Sequence, residues 1–283
     1  MKIAVASGKG GTGKTTVAVG LAAFLAETGV AVTYADCDVE EPNGHLFLRP
    51  EIRETLTATM TYPDVNRERC ISCGKCQKIC QYKAVILIMD KPLVFPEMCH
   101  ACGGCALVCP VGAITDAERE IGIIETGARD GIRFVHGKMH IGQVLSPPLI
   151  RQVKARIPDD GISILDCPPG TSCPVVTGVR GADFVLLVTE PTPFGLNDLR
   201  LAVDMVRELR IPFGVFINRA DIGTPDTEKY CAWNGIPILG SIPDDRRVAE
   251  AYSRGALLEM LLPLYGDTFR VLWRSLECEA TRE

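Results

Sequence analysis

The sequence predicts an α/β protein, a mostly parallel sheet with helices on both faces, carrying a second, small α+β module as an insertion. Three observations predict it. Short apolar runs alternate with helical stretches at both ends of the chain. A glycine-rich loop joins the first apolar run to the first helical stretch. Eight of the 13 cysteines fall in one middle segment, as a repeat with an offset of 29 residues.

Residues 2–7 are apolar and rich in β-branched side chains, which suits a buried strand. After the glycine-rich turn, residues 15–28 fit a helix that Gly29 can end. Residues 30–35 form a second buried strand, so the chain opens as strand–loop–helix–strand. The alternation resumes late, with strands expected over 162–165, 184–188, 213–217 and 236–239 and helices over 196–209, 227–233 and 246–253. Such an alternation winds into a doubly wound sheet with ligands at the strand C-termini. The cysteine repeat places the insert at 61–115 and leaves 1–60 and 116–283 to the larger domain.

Composition narrows the function classes. The 283 residues are 47% hydrophobic and 23% charged, so disorder is not the main state. A net charge of −5 argues against broad nucleic-acid binding, and none is expected. No apolar run approaches the roughly 20 residues of a membrane span. The opening MKIAVASGKGG lacks a secretory pattern, so a cytoplasmic, reducing setting is expected. Thirteen thiols there should be metal-bound, catalytic or buried.

Gly8-Lys9-Gly10-Gly11-Thr12-Gly13-Lys14-Thr15 fits G-x-x-x-x-G-K-[ST], and Thr16 continues it into the helix. Glycines let backbone N–H groups close around phosphate oxygens, and the helix N-terminus favours negative charge. Lys14 should reach the β- and γ-phosphates of ATP and Thr15 should ligate Mg²⁺. Lys9 is an additional lysine inside the loop. It resembles the variant phosphate loop of the MinD/ParA/nitrogenase-iron-protein class. That resemblance implies a homodimer formed on ATP binding, with Lys9 reaching the partner's nucleotide.

Further segments extend the likeness, each weak alone. Asp36-Cys37-Asp38 and Asn43 have the spacing of a MinD-type first switch. The resemblance gives Asp38 the water and Asp36 a place in the metal shell. The apolar run ending at Asp166 resembles a Walker-B strand, with Asp166 holding Mg²⁺ through water. Gly170 follows, where a second switch would offer its N–H to the γ-phosphate. Asn218, after a late strand, resembles the family's adenine-recognition residue. The likeness covers residues 1–50 and about 116–260.

Cys70, Cys73, Cys76 and Cys80 recur as Cys99, Cys102, Cys105 and Cys109. C-x-x-C-x-x-C-x-x-x-C, twice, resembles the bacterial two-cluster ferredoxins, in which the fourth cysteine of each run ligates the other cluster. That resemblance implies two [4Fe–4S] clusters, one on Cys70, Cys73, Cys76 and Cys109, the other on Cys99, Cys102, Cys105 and Cys80. Paired C-x-x-C units also suit tetrahedral zinc. Cys109 is followed by Pro110 as in ferredoxins, whereas Cys80 is followed by Gln81, a change able to alter the turn and the reduction potential. Of the other five, Cys37 and Cys167 adjoin the switch acids, and Cys231 and Cys278 read as small buried hydrophobes. Cys173 stands where the nitrogenase iron protein has one ligand of a dimer-bridging cluster, but 116–160 contains no second cysteine. His100 lies between ligand cysteines, as a solvated loop residue or one that tunes a cluster; His45, His136 and His140 show no ligand spacing, and 269–276 is expected to dock on the sheet.

Together these features point to a MinD-superfamily ATPase with an inserted ferredoxin domain. Its expected work is ATP hydrolysis coupled to iron–sulfur chemistry, as electron transfer or as cluster delivery to an acceptor protein. The alternative is a positioning or regulatory ATPase of the MinD/ParA type that uses the module as a redox sensor.

Overall fold

The structure is a computed structural model and describes residues 1–280. The chain runs β1 (Lys2–Ser7), α1 (Lys14–Glu27), β2 (Val32–Asp36), α2 (Gly44–Leu48) and β3 (Glu51–Val65). The cysteine region follows as α3 (Lys75–Ile79), β4 (Val85–Ile88), β5 (Lys91–Val94), a 3₁₀ turn (Pro96–Met98) and α4 (Gly104–Leu107). Then come β6 (Ile114–Arg129), β7 (Ile132–Met139), α5 (Pro147–Lys154), β8 (Ile162–Pro169), α6 (Cys173–Val179) and β9 (Phe184–Thr189). The last elements are α7 (Pro193–Leu209), β10 (Phe213–Asn218), α8 (Asp226–Trp233), β11 (Ile238–Ile242), α9 (Arg246–Ser253) and α10 (Leu257–Ala280).

Among the described residues one sheet has nine strands, in the order β11-β10-β9-β1-β8-β2-β7-β6-β3. From β11 to β7 every pairing is parallel, and the β7–β6 and β6–β3 pairings are antiparallel. The inner strands are buried on both faces, which explains their continuous apolar runs. Two apolar cores lie on opposite sides of the sheet. One gathers Leu149, Val175, Val203 and Cys231 from α5–α8; the other gathers Leu21, Phe47, Leu261 and Phe269 from α1, α2 and α10. Helix α1 is apolar all round because it is sandwiched between the sheet and α10. Gly20 allows that close approach, since a Cβ there would lie 2.3 Å from the Phe269 ring. The expected docking of 269–276 is seen in the full burial of Phe269, Leu272 and Leu276.

Sequence patterning does not announce β3, β6 and β7. The 15- and 16-residue strands β3 and β6 pair from Glu51–Ala128 out to Val65–Ile114, making a ribbon whose tip carries residues 66–113. The expected boundaries at 61 and 115 fall within this ribbon, which continues from the main sheet into the cysteine region.

Candidate functional site: a phosphate loop and two cysteine cavities

The glycine-rich loop lies between β1 and α1, and a cavity opens over it. Its walls include Gly10, Gly11, Gly13, Lys14, Thr15 and Thr16 from the loop, Asp38 and Asn43 after β2, Pro169 at the end of β8, and Asn218. The parallel sheet produces this convergence, because β1, β2, β8 and β10 all end on the same side. Gly13 caps α1 with φ 91°, and a Cβ there would meet Asn218 Nδ2 at 2.2 Å. The Asn218 amide donates to Thr12 O at 2.8 Å. It therefore borders the cavity and also fixes the phosphate loop, a part its resemblance to a base-recognition residue does not include.

Lys14 is buried with its Nζ 4.0 Å from Asp166 Oδ1. Asp166 is fully buried; its Oδ2 accepts from Tyr34 OH at 2.9 Å, while Oδ1 has no hydrogen-bond partner. A buried carboxylate oxygen without a hydrogen-bond partner suits a hydrated divalent cation, so Asp166 and the Thr15 hydroxyl are donors of the kind Mg²⁺ takes. Asp36, expected in the metal shell, has a structural task. Its carboxylate accepts from Asp38 N (3.1 Å), Asn43 N (3.1 Å) and Gly44 N (2.9 Å), so it folds the loop that carries Asp38. Burial, with Asp166 close by, pushes its carboxyl well up. Asp38 is pushed up to about 6, chiefly by burial, with Lys14 opposing and Asp166 adding to the rise. The Gly170 N–H donates to Ser7 O at 2.9 Å.

Lys9 turns away from the cavity. Its Nζ lies 2.5 Å from Glu190 Oε1, and Arg219 Nη1 reaches Glu190 Oε2 at 3.4 Å. Glu190, just beyond β9, carries no motif and was not legible in the sequence; nor were Pro243, Asp245, Val248, Ala249 and Tyr252, which close the cavity from the β11–α9 side.

The cysteine repeat is also a structural repeat. Positive φ recurs at Ser72 and Ala101 (54° and 52°), Gly74 and Gly103 (72° and 71°), and Lys83 and Gly112 (both 56°). The positive φ thus recurs three residues after Cys80 and three after Cys109, although Gln81 stands where the second run has Pro110. One cavity is lined by Cys70, Cys73, Cys76 and Cys109, with Val65, Leu87 and Ile114. The other is lined by Cys80, Cys99, Cys102 and Cys105, with Thr61, Tyr62 and Asp116 from the ribbon. Backbone N–H groups of Ala84, Ala113 and Ala101 donate to the sulfurs of Cys80 (3.3 Å), Cys109 (3.2 Å) and Cys99 (3.4 Å). The Ala113 N–H holds the Cys109 thiol below its ordinary range, whereas burial pushes Cys99 up. Four thiols around each cavity form a donor set suited to an iron–sulfur cubane. Tyr82 stacks on His100, centroids 3.4 Å apart, at the second cavity.

The remaining thiols divide by burial. Cys37 and Cys167 are fully buried, and burial pushes Cys167 up to about 12, so both are poor nucleophiles. Cys231 is buried as expected, but Cys278 is exposed, because its position on α10 faces away from the core. Cys173 is exposed at the start of α6. Among the described residues no helix is long and apolar enough to cross a membrane.

Comparison with known proteins agrees with this layout. Residues 3–258 match the model of the CobQ/CobB/MinD/ParA nucleotide-binding domain. An uncharacterized protein of Methanocaldococcus jannaschii is 30% identical over 264 residues, covering 90% of each chain. The iron-sulfur cluster carrier protein of Pyrococcus furiosus is 27% identical over 289 residues, covering 94% of this chain and 80% of its own. The structure of the septum site-determining protein MinD with Mg-ADP from Pyrococcus horikoshii superposes with a TM-score of 0.61 at 19% identity, covering 99% of this chain and 97% of that one.

Proposed function

We propose, for a chain that belongs to the CobQ/CobB/MinD/ParA nucleotide-binding family, an ATPase whose nucleotide state acts on two [4Fe–4S] clusters held at the tip of its ribbon. ATP hydrolysis itself accords with that family. The observation that carries the iron–sulfur part is the pair of cavities, each lined by four cysteines drawn from both runs.

ATP would lie along the phosphate loop, its β- and γ-phosphates met by Lys14 and the loop N–H groups. Mg²⁺, when bound by Thr15 and through water by Asp166, neutralises phosphate charge. Asp38, raised to about 6, is largely ionised near neutral pH and would orient and deprotonate the attacking water. For dimerisation, Lys9 would exchange Glu190 for the partner's nucleotide, a cation for the charge that develops on the transferred phosphoryl group. The clusters supply one-electron chemistry.

Two outputs follow. Delivery of iron–sulfur to an acceptor protein is supported by relatives named iron-sulfur cluster carrier proteins. Electron transfer accords with four thiols per cavity, which would hold a cluster without leaving an open position. In either case a reducing, cytoplasmic setting suits the exposed thiols. Anaerobically purified protein should contain about eight iron and eight sulfide per chain, four of each per cubane. Lys14→Ala should abolish both hydrolysis and the ATP dependence of cluster transfer or oxidation. A preparation with zinc and no iron overturns the proposal. ATP-dependent binding to liposomes or DNA that survives loss of the clusters would instead support a positioning ATPase.

A further inference from the structure

The tip of the ribbon is charged oppositely to the rest of the chain. Residues 66–113 carry six lysines and arginines against three acids, a net charge of +3 in a chain whose total is −5. The remainder therefore stands at −8. Lys75, Lys78, Lys83 and Lys91 are exposed. Among the described residues no ion pair includes any of the four. An acidic partner is repelled by the larger domain and drawn to the tip, so charge selects the end at which it docks.

One rim of this tip is also apolar. Ser72 Oγ donates to Asp90 O, which brings the loop after Cys70 against the β4–β5 hairpin. On the loop side, Ile71 and Lys75 line the first cavity beside Cys73, the one fully exposed thiol of its four. On the hairpin side, Ile88 pairs with Lys91, and Met89 and Asp90 make the turn between them. Ile71, Ile88 and Met89 are all exposed, Met89 to 92%. The turn has positive φ at both central residues, 48° at Met89 and 60° at Asp90. Two-residue turns of this kind favour asparagine, aspartate or glycine, and methionine suits them poorly. Met89 thus holds a flexible, polarisable side chain in water, in a backbone conformation that resists it, and packs on nothing in its own fold. The first cavity borders Val65 and Ile114, where the ribbon pairing ends, so a partner reaches this rim clear of the main sheet.

We propose that this rim, Ile71, Ile88 and Met89 flanked by Lys75 and Lys91, docks an acidic protein partner over Cys73. The partner is a one-electron carrier whose acidic surface surrounds its redox group. The lysines steer it, and Met89 supplies the apolar contact that holds it. The inference rests on the iron–sulfur reading above and deepens it. It makes the two clusters unequal: the one on Cys70, Cys73, Cys76 and Cys109 faces the partner.

The test uses the reconstituted protein, reduced with dithionite and freed of excess reductant, and oxidised flavodoxin, an acidic carrier, as the probe. One electron leaves a reduced cluster, which returns to its oxidised state; the flavin takes it with a proton from solvent and becomes the semiquinone. The stopped-flow rate should fall about tenfold as salt rises from about 0.05 to about 0.5 M. Cytochrome c, a basic carrier, should not be slowed by salt. Lys75→Glu combined with Lys91→Glu should slow flavodoxin about tenfold and flatten its salt dependence. Met89→Asn suits the turn better, so the variant should fold at least as well, yet flavodoxin reduction should fall about fivefold. A small neutral quinone needs no docking surface and should be reduced at the original rate by both variants. Flavodoxin rates unchanged in both variants overturn the inference. Equal slowing with the quinone also overturns it, because the lysines then serve the cluster and not a partner. Salt-dependent self-association in ultracentrifugation, lost in the lysine variant, gives the rim to a second copy and overturns it as well. Absence of iron overturns the reading beneath it.

Discussion

Asp38→Asn should make the nucleotide-free protein more stable while destroying its activity. Folding lifts this carboxyl from 3.8 to about 6, chiefly by burial, with Asp166 adding to the rise. The folded state therefore binds more protons than the unfolded chain between those two values. Stability contributed by this group is full below about pH 4 and falls as pH rises, with the whole penalty present above about pH 6. A shift of about two units at 1.36 kcal/mol each sets a ceiling of about 3 kcal/mol. Asp38 is only partly buried, and solvent screening reduces that to about 1–2 kcal/mol. Asparagine keeps the size and removes the charge. Urea denaturation in the presence of a chelator should show a gain of about 1–2 kcal/mol at about pH 8, shrinking toward zero near pH 4. The matching rise in melting temperature is about 2–6 °C. ATP hydrolysis should fall by at least about 100-fold, the usual cost of a lost general base. An equal stability change at both pH values, or a variant that still hydrolyses ATP well, would refute the argument.

Three further expectations follow from the same geometry. Gly13→Ala places a Cβ at 2.2 Å from Asn218 Nδ2 in a left-handed position; the strain alone is about 1–2 kcal/mol, and calorimetry should show ATP binding weakened by about tenfold or more. Lys14→Ala should abolish ATP binding and leave Asp166 buried without its cation, with a stability loss of up to about 3 kcal/mol near neutral pH in denaturant titration. Cys109→Ser should remove the same cluster as Cys70→Ser, and Cys80→Ser the same cluster as Cys99→Ser, as read by iron content and EPR; loss of the cluster on the residue's own run would break the crossed assignment.

What the sequence revealed is what it writes locally. The phosphate loop and each cysteine run are contiguous, and the glycines and spacings that define them are visible in a dozen residues. The offset of 29 even extends to the backbone, where Ser72 and Ala101 share one unusual conformation. The inner strands were visible because burial on both faces leaves unbroken apolar runs. The ribbon was hidden because much of it faces solvent, so β3 begins with the exposed run Glu51–Thr55 in place of an apolar signal. The latch on Lys9 was hidden because Glu190 is 181 residues away. The three backbone N–H bonds that Asp36 accepts were not legible, since a carboxylate that caps a loop looks the same in sequence as one that faces solvent.

The coupling of nucleotide to clusters can be tested from the nucleotide side. Coupling of two binding equilibria is reciprocal, so a nucleotide that shifts a cluster potential must itself bind the oxidised and reduced protein differently. Affinity for a hydrolysis-resistant ATP analogue should be measured anaerobically on the oxidised and on the fully reduced protein. The account predicts affinities that differ by the same factor as the nucleotide-dependent shift in the reduced-to-oxidised ratio. Identical affinities in the two redox states, with both clusters present, would contradict it.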